Sequence, residues 1–192
     1  RVVRTRPEAL RAVRERRPDG IVLSGSQHTL SEHVPKPVLA ANAALMQLGV
    51  PVLGVCFRMQ VMALVHGGSV QRLKRRCVGV HTVVTRASSL FDGDRFDTYH
   101  EHIDAVLELP HGFEETAQLL EADGTRAIVA FEHASKRLFG VQFHPEADPE
   151  LARRILARFL SECRGSDGRL AAGAVAMAGL VVGTLLAQAL RG

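Results

Sequence analysis

Aromatic side chains are scarce in this sequence. Its 192 residues hold no tryptophan, one tyrosine and eight phenylalanines, and aromatics make up 5%. Single-strand nucleic-acid binders stack bases on aromatic platforms, so this composition argues against that class. Cysteine is sparse too. Three is an odd number, so at least one thiol stays unpaired within the chain. That fits a reducing compartment better than a secreted disulfide scaffold. No methionine opens the chain, and its first residues do not read as a signal peptide. What the chain has is an ordinary globular balance, 46% hydrophobic and 23% charged, which excludes a wholly disordered protein. The length suits one domain with its own core and a short appendage.

The net charge of +4 is unevenly spread. Seven arginines crowd the first 17 residues, and Arg72, Lys74, Arg75 and Arg76 follow the Gly67-Gly68 turn. Glutamates alternate with the first group, which reads as a solvated helix face, and no nucleic-acid partner is expected. Toward the opposite end lies a long uncharged run. Leu170 to Leu190 is a run of Leu, Ala, Val and Gly broken by Thr184 and Gln188. As a helix rising ~1.5 Å per residue it would cross a hydrocarbon core of ~30 Å. Arg153, Arg154, Arg158, Arg164 and Arg169 precede it and Arg191 follows. Positive-inside bias would then keep the main domain cytoplasmic. The expectation is a domain over 1–163, a linker over 164–169 and an apolar helix over 170–190. That helix would either anchor the chain in a membrane or dock on protein.

Between these ends, strand and helix signals alternate. Pro7 to Arg17 reads as a helix, Gly20 to Gly25 as a buried strand and Val38 to Leu48 as a helix stopped by Gly49. Pro51 to Cys56 reads as a second buried strand and Met59 to His66 as the helix after it. Short strands with hairpin-like spacing follow at Val78–Thr85, Ala105–Leu109, Ala127–Phe131 and Leu138–Phe143. Asp148 to Cys163 closes the domain as an amphipathic helix with Leu151, Ile155, Leu156 and Phe159 inward. This order predicts a doubly wound α/β sheet, with ligands beyond the carboxyl ends of its strands.

Two stretches carry the chemistry. Gly54-Val55-Cys56-Phe57-Arg58-Met59-Gln60 puts a cysteine between a buried strand and a helix, the setting of a nucleophile elbow. A helix N-terminus favours the thiolate. Phe139-Gly140-Val141-Gln142-Phe143-His144-Pro145-Glu146 puts a histidine and a carboxylate just past another buried strand. A cysteine nucleophile needs a base, and the base an orienting carboxylate. Strands ending on one edge of a parallel sheet let Cys56, His144 and Glu146 converge. His100, His102 and Asp104 also invite a metal reading, since i, i+2 residues share a face of a strand. No second Cys or His pair in the sequence completes a ligand set, so no metal is expected. Cys77 and Cys163 read as structural.

From Ile21 to about Leu160 the chain resembles the class I glutamine amidotransferases. The elbow resembles the family's Gly-x-Cys-x-Gly-x-Gln, and Gly140 to Glu146 its second signature. Leu23-Ser24-Gly25, Gly67 to Val70, His102-Ile103-Asp104 with Val106, and Leu109 to Phe113 follow in the family's order. Met59 before Gln60, and His-x-Asp followed by the Pro110-His111-Gly112-Phe113 loop, look most like the glutaminase portion of GMP synthases. The resemblance implies a mostly parallel, flavodoxin-like sheet that lacks the family's first strand and helix, so the N-terminus reads as truncated. It also implies that Cys56 attacks the side-chain amide of glutamine, that His144 carries the proton, and that Glu146 orients His144. The amides of Gly25 and Phe57 would hold the oxyanion, and Gln60, His102 and Asp104 would contact the substrate. No cofactor is implied. Ammonia would pass to a separate ATP-dependent synthetase, because no ATP-pyrophosphatase motif follows in this chain.

Four residues at three places depart from the family pattern. Arg58 replaces the elbow's second glycine, and must point either to the pocket mouth or into the crowded side. Ser26-Gln27 replaces Gly-Pro on the substrate-side loop. Glu101 replaces a small residue and would bring a carboxylate to the pocket rim. Two other readings stay open on these residues. One is γ-glutamyl hydrolysis by the same triad, and the other is a pseudo-amidotransferase impaired by Arg58.

Overall fold

The computed structural model describes residues 7–16, 18–26, 28–32, 34, 36–164 and 176–178. Helix α1 (Pro7–Arg16) leads into strand β1 (Ile21–Leu23), α2 (Lys36–Met46), β2 (Val52–Val55) and α3 (Phe57–Val65). Four strands then follow without a helical crossover: β3 (Ser69–Thr85), β4 (Arg95–Glu108), β5 (Glu114–Leu120) and β6 (Arg126–His133). Strand β7 (Leu138–Val141), helix α4 (Pro149–Cys163) and a short β8 (Ala176–Ala178) complete the described elements.

One eight-stranded sheet runs in the order β4-β3-β5-β6-β7-β2-β1-β8. Its β7-β2-β1-β8 half is parallel, and its β4-β3-β5-β6-β7 half is antiparallel. The expected mostly parallel sheet is therefore corrected to a mixed one, with three parallel and four antiparallel neighbour pairings. Antiparallel neighbours need only a tight connection, whereas parallel ones need a crossover, and residues 66–137 offer no long helix to make one.

Helices cover both faces of the parallel half, as the doubly wound reading requires. Ile21, Leu23 and Val52 pack with α2 and α3, while Val22, Leu53 and Val55 pack with α4. Period-2 alternation along buried strands sends successive side chains to opposite layers. Helix α4 starts where its sequence says it should. Asp148 Oδ1 accepts from the backbone N–H groups of Glu150 (2.9 Å) and Leu151 (3.1 Å), with Pro149 next. Its inward Phe159 meets the Phe139 ring of β7 edge-on at 5.9 Å. This contact holds the strand that leads to His144.

The tail departs from expectation. Ala176–Ala178 is extended and pairs in parallel with β1, Ile21 opposite Ala176. An apolar helix across 170–190 does not hold at these three residues, and the rest of that run lies outside the described residues. The unpaired sheet edge of β1 is a strong template for another strand, which gives the segment a reason to extend there. Among the described residues no helix is long and apolar enough to cross a membrane. Val2-Val3, which by sequence reads as the end of a strand, also lies outside the described residues.

Candidate active site

The elbow is visible in the backbone. Cys56 has φ 51° and ψ −115°, a region that non-glycine residues rarely occupy and that is retained where surrounding structure holds it. Gly54 makes the turn feasible. A Cβ there would sit 3.0 Å from the main-chain carbon and oxygen of Arg58, so a side chain would have to push the first turn of α3 away from β2. The backbone N–H of Cys56 donates to Val141 O of β7 at 2.7 Å, locking the strand tip that presents the thiol.

Strand β7 brings the second component. His144 lies just beyond its end, and its backbone N–H donates to Tyr99 O of β4 at 2.8 Å. Nδ1 of His144 is 2.9 Å from Glu146 Oε1, so the ring presents Nε2 to Cys56. Burial alone would lower the His144 pKa. Hydrogen bonds with Cys56 and Glu146, together with their charges, outweigh it and lift the value to about 10. An imidazolium is thereby held between a sulfur and a carboxylate.

Gly25, just past β1, faces this pair. A Cβ at Gly25 would lie 3.4 Å from His144 Cε1 and 3.5 Å from Cys56 Cβ. Phe57 opens α3, whose first-turn N–H groups have no intrahelical acceptor and favour negative charge. The structure thus brings Cys56, His144, Glu146, Gly25 and Phe57 to one place, beyond the carboxyl ends of β1, β2 and β7.

The remaining expected contacts divide. Gln60 is buried and its Nε2 donates to Asp104 O (2.7 Å) and Gln142 Oε1 (2.9 Å). It ties α3 to β4 and to the segment after β7. Asp104 is 1% exposed, and its Oδ2 accepts from the Ser31 N–H at 3.0 Å. His102 does not join the triad. It packs into a second cluster, with Nε2 3.0 Å from Glu121 Oε1 and Cys77 opposite it on β3. Glu101 sends its carboxylate to Arg76 Nη2 at 2.6 Å, across the β3–β4 ladder. Its carbonyl oxygen lies 3.8 Å from Cys56 Sγ.

A family model described as glutamine amidotransferase class-I matches residues 1–163. The chain belongs to this family. It is 37% identical over 155 residues to a GMP synthase [glutamine-hydrolyzing] of Thermobifida fusca, and 32% identical over 163 residues to that of Staphylococcus carnosus. These alignments cover 78% and 82% of this chain but 28% and 30% of the relatives, so the chain spans under a third of their length. Among solved structures, a protein described as one subunit of a GMP synthase from Thermoplasma acidophilum superposes with a TM-score of 0.65 at 28% identity. The match covers 76% of this chain and 72% of that one. The glutaminase domain of Trypanosoma brucei CTPS matches in fold, with a TM-score of 0.60 at 18% identity over 81% of this chain and 74% of that one.

Within this amidotransferase fold, Arg58 takes the crowded side. It is 5% exposed, its Nε donates to Ser24 O at 3.4 Å, and its guanidinium lies 5.2 Å from the Phe57 ring centroid. Burial lowers its pKa to about 10, which still leaves it charged at neutral pH. The side chain braces the loop that carries Gly25, and the triad stays assembled above it. On the same loop, Ser26 Oγ accepts from the His28 N–H at 3.3 Å, a local turn. Gln27 lies outside the described residues.

Gln142 is a site residue that the sequence does not single out. It is fully buried, and its Nε2 lies 3.5 Å from Cys56 Sγ while its Oε1 accepts from Gln60. The available signal is an uncharged polar residue inside an apolar strand stretch. Cys77 has more company than a purely structural thiol. It lies opposite His102 in the β3–β4 ladder, so the ligand set that looks incomplete in sequence gains a sulfur, while Asp104 lies outside it.

Proposed function

We propose that this chain is a glutaminase that hydrolyses the side-chain amide of glutamine and supplies ammonia to a separate ATP-dependent synthetase of the GMP synthase type. The observation that carries the reading is the Cys56–His144–Glu146 array on a backbone strained at Cys56, with His144 held protonated.

In the proposed reaction Cys56 Sγ attacks the amide carbon and forms a carbon–sulfur bond. The oxyanion is held by the N–H groups of Gly25 and Phe57, each such donor worth ~3–4 kcal/mol in comparable sites. His144 gives its proton to the nitrogen as the carbon–nitrogen bond breaks, and ammonia leaves. Water, deprotonated by the now neutral His144, attacks the thioester carbon; the carbon–sulfur bond breaks, glutamate leaves, and the thiolate and imidazolium are restored. Glu146 keeps the ring oriented and stabilises its charge. Gln142 steadies the sulfur, and Arg58 braces the oxyanion loop. Asp104 Oδ1, a buried acceptor without a partner among the described residues, suits the substrate's ammonium group. Gln60 fixes the strand that carries Asp104.

The test is ammonia release from glutamine by the full chain, with covalent trapping of Cys56 by a glutamine-like electrophile. Both should vanish in Cys56→Ala. A folded wild-type chain that neither labels nor releases ammonia would overturn the reading. So would turnover of γ-glutamyl peptides in clear preference to glutamine.

A further inference from the structure

A second buried cluster lies one strand face away from the triad. The ligating atoms of Cys77, His100 and His102 all lie within 4.8 Å of one another, and all three residues are buried. His100 is fully buried, yet among the described residues neither of its ring nitrogens has a hydrogen-bond partner, and Nδ1 of His102 has none either. Buried polar groups in native proteins are nearly always satisfied, so three orphaned ring nitrogens on two histidines beside a buried thiol need an explanation. Glu121, 8% exposed, accepts from His102 Nε2 at 3.0 Å and also bonds the Cys77 thiol.

We propose that Cys77, His100 and His102 form a binding site for a divalent cation of the zinc class, with Glu121 orienting His102. The donor set is one sulfur and two imidazoles, which suits a borderline-soft ion and not magnesium or calcium. His102 has the arrangement of a ligand with its outer partner: one ring nitrogen is given to a carboxylate and the other is free for metal. Charge also closes. Binding displaces the Cys77 thiol proton to solvent and forms a sulfur–metal bond. Thiolate and Glu121 carboxylate then neutralise the dication, as a buried site requires. Zinc bonds of ~2.0–2.3 Å place tetrahedral ligands ~3.3–3.8 Å apart, so closing on the ion asks about 1 Å of side-chain movement.

The site would clip β3 to β4 at a place that matters. His100 and His102 alternate along β4 with Tyr99 and Glu101, whose carbonyls meet His144 N and Cys56 Sγ. Phe143, next to His144, packs its ring 6.1 Å from that of His100. The inference does not depend on which amide the triad hydrolyses.

The experiment is a titration of chelator-stripped full chain with Co²⁺, with Zn²⁺ tested by thermal unfolding. Wild type should bind Co²⁺ at one per chain, with the thiolate-to-cobalt charge-transfer band of a sulfur-ligated ion, and Zn²⁺ should raise Tm. Cys56→Ser should keep both effects and Cys77→Ser should lose both. His100→Ala should weaken Co²⁺ binding by about 100-fold or more, beyond the ~10–100-fold expected for Glu121→Gln as an outer partner. If Cys77→Ser fails to fold, His100→Ala decides the matter. Absence of the band in wild type, its survival in Cys77→Ser, its loss in Cys56→Ser, or unchanged affinity in His100→Ala would each overturn the proposal.

Discussion

Replacing Glu146 with glutamine isolates what the carboxylate does for His144. The Nδ1–Oε1 distance is 2.9 Å, and the side chains are 22% and 11% exposed. At an effective dielectric of about 20, two unit charges at that distance attract by ~6 kcal/mol. The amide keeps a neutral hydrogen bond and partial exposure admits water, so the loss in imidazolium stabilisation should be ~3–4 kcal/mol, or a ~10²–10³-fold lower kcat. The pH signature has a fixed sign. The folded His144 value of about 10 lies above its ordinary 6.5. Its contribution to stability is complete below about pH 6.5 and is lost as pH rises through about 10. Glu146→Gln should pull the folded value down toward 6.5 and narrow that window. Glutamine turnover, urea unfolding near neutral pH and near pH 10, and NMR titration of the His144 ring measure the three effects. A variant with kcat within about threefold of wild type and an unmoved His144 titration would refute the orienting role of Glu146.

Three other perturbations read the elbow and its neighbours. Cys56→Gly should be more stable than Cys56→Ala by ~1 kcal/mol, because φ 51° costs an L side chain but not glycine. Equal urea midpoints would argue that the turn is unstrained. Gly54→Ala forces a Cβ to 3.0 Å from the Arg58 main chain. It should cost ~2 kcal/mol or more and slow labelling of Cys56 at least tenfold, both read on the same preparation. Gln142→Leu removes a donor to Cys56 Sγ and the acceptor of Gln60. It should lower stability by ~1–3 kcal/mol and turnover by about tenfold, with Gln60 still held by Asp104 O.

Much of this is legible in the linear chain because it rests on local rules. Buried strands announce themselves at Ile21–Leu23 and Val52–Val55 as short apolar runs between turn signals. Helix α4 is bounded by its Asp148 cap and Pro149. A cysteine at a strand-to-helix junction and a histidine two residues before a glutamate are patterns whose chemistry follows from spacing. Strand β5 escapes such reading because Glu114–Leu120 is polar on one face. The first part of β3 escapes it because its basic residues look like a loop. Their strand character comes from neighbours that pair with them.

The sequence by itself singled out the residues proposed as nucleophile, base and orienting acid, and determined that strands and helices alternate around them. Only the tertiary structure decided which remote residues share a space. Cross-strand register set Cys77 opposite His102 and turned His102 away from the triad. The close approach of α3 to β2 sent Arg58 against Ser24 rather than to the pocket mouth. The β1 edge took Ala176–Ala178 as a strand. The physical reason is common to all three: pairing and packing act through space, whereas composition and periodicity act only along the chain.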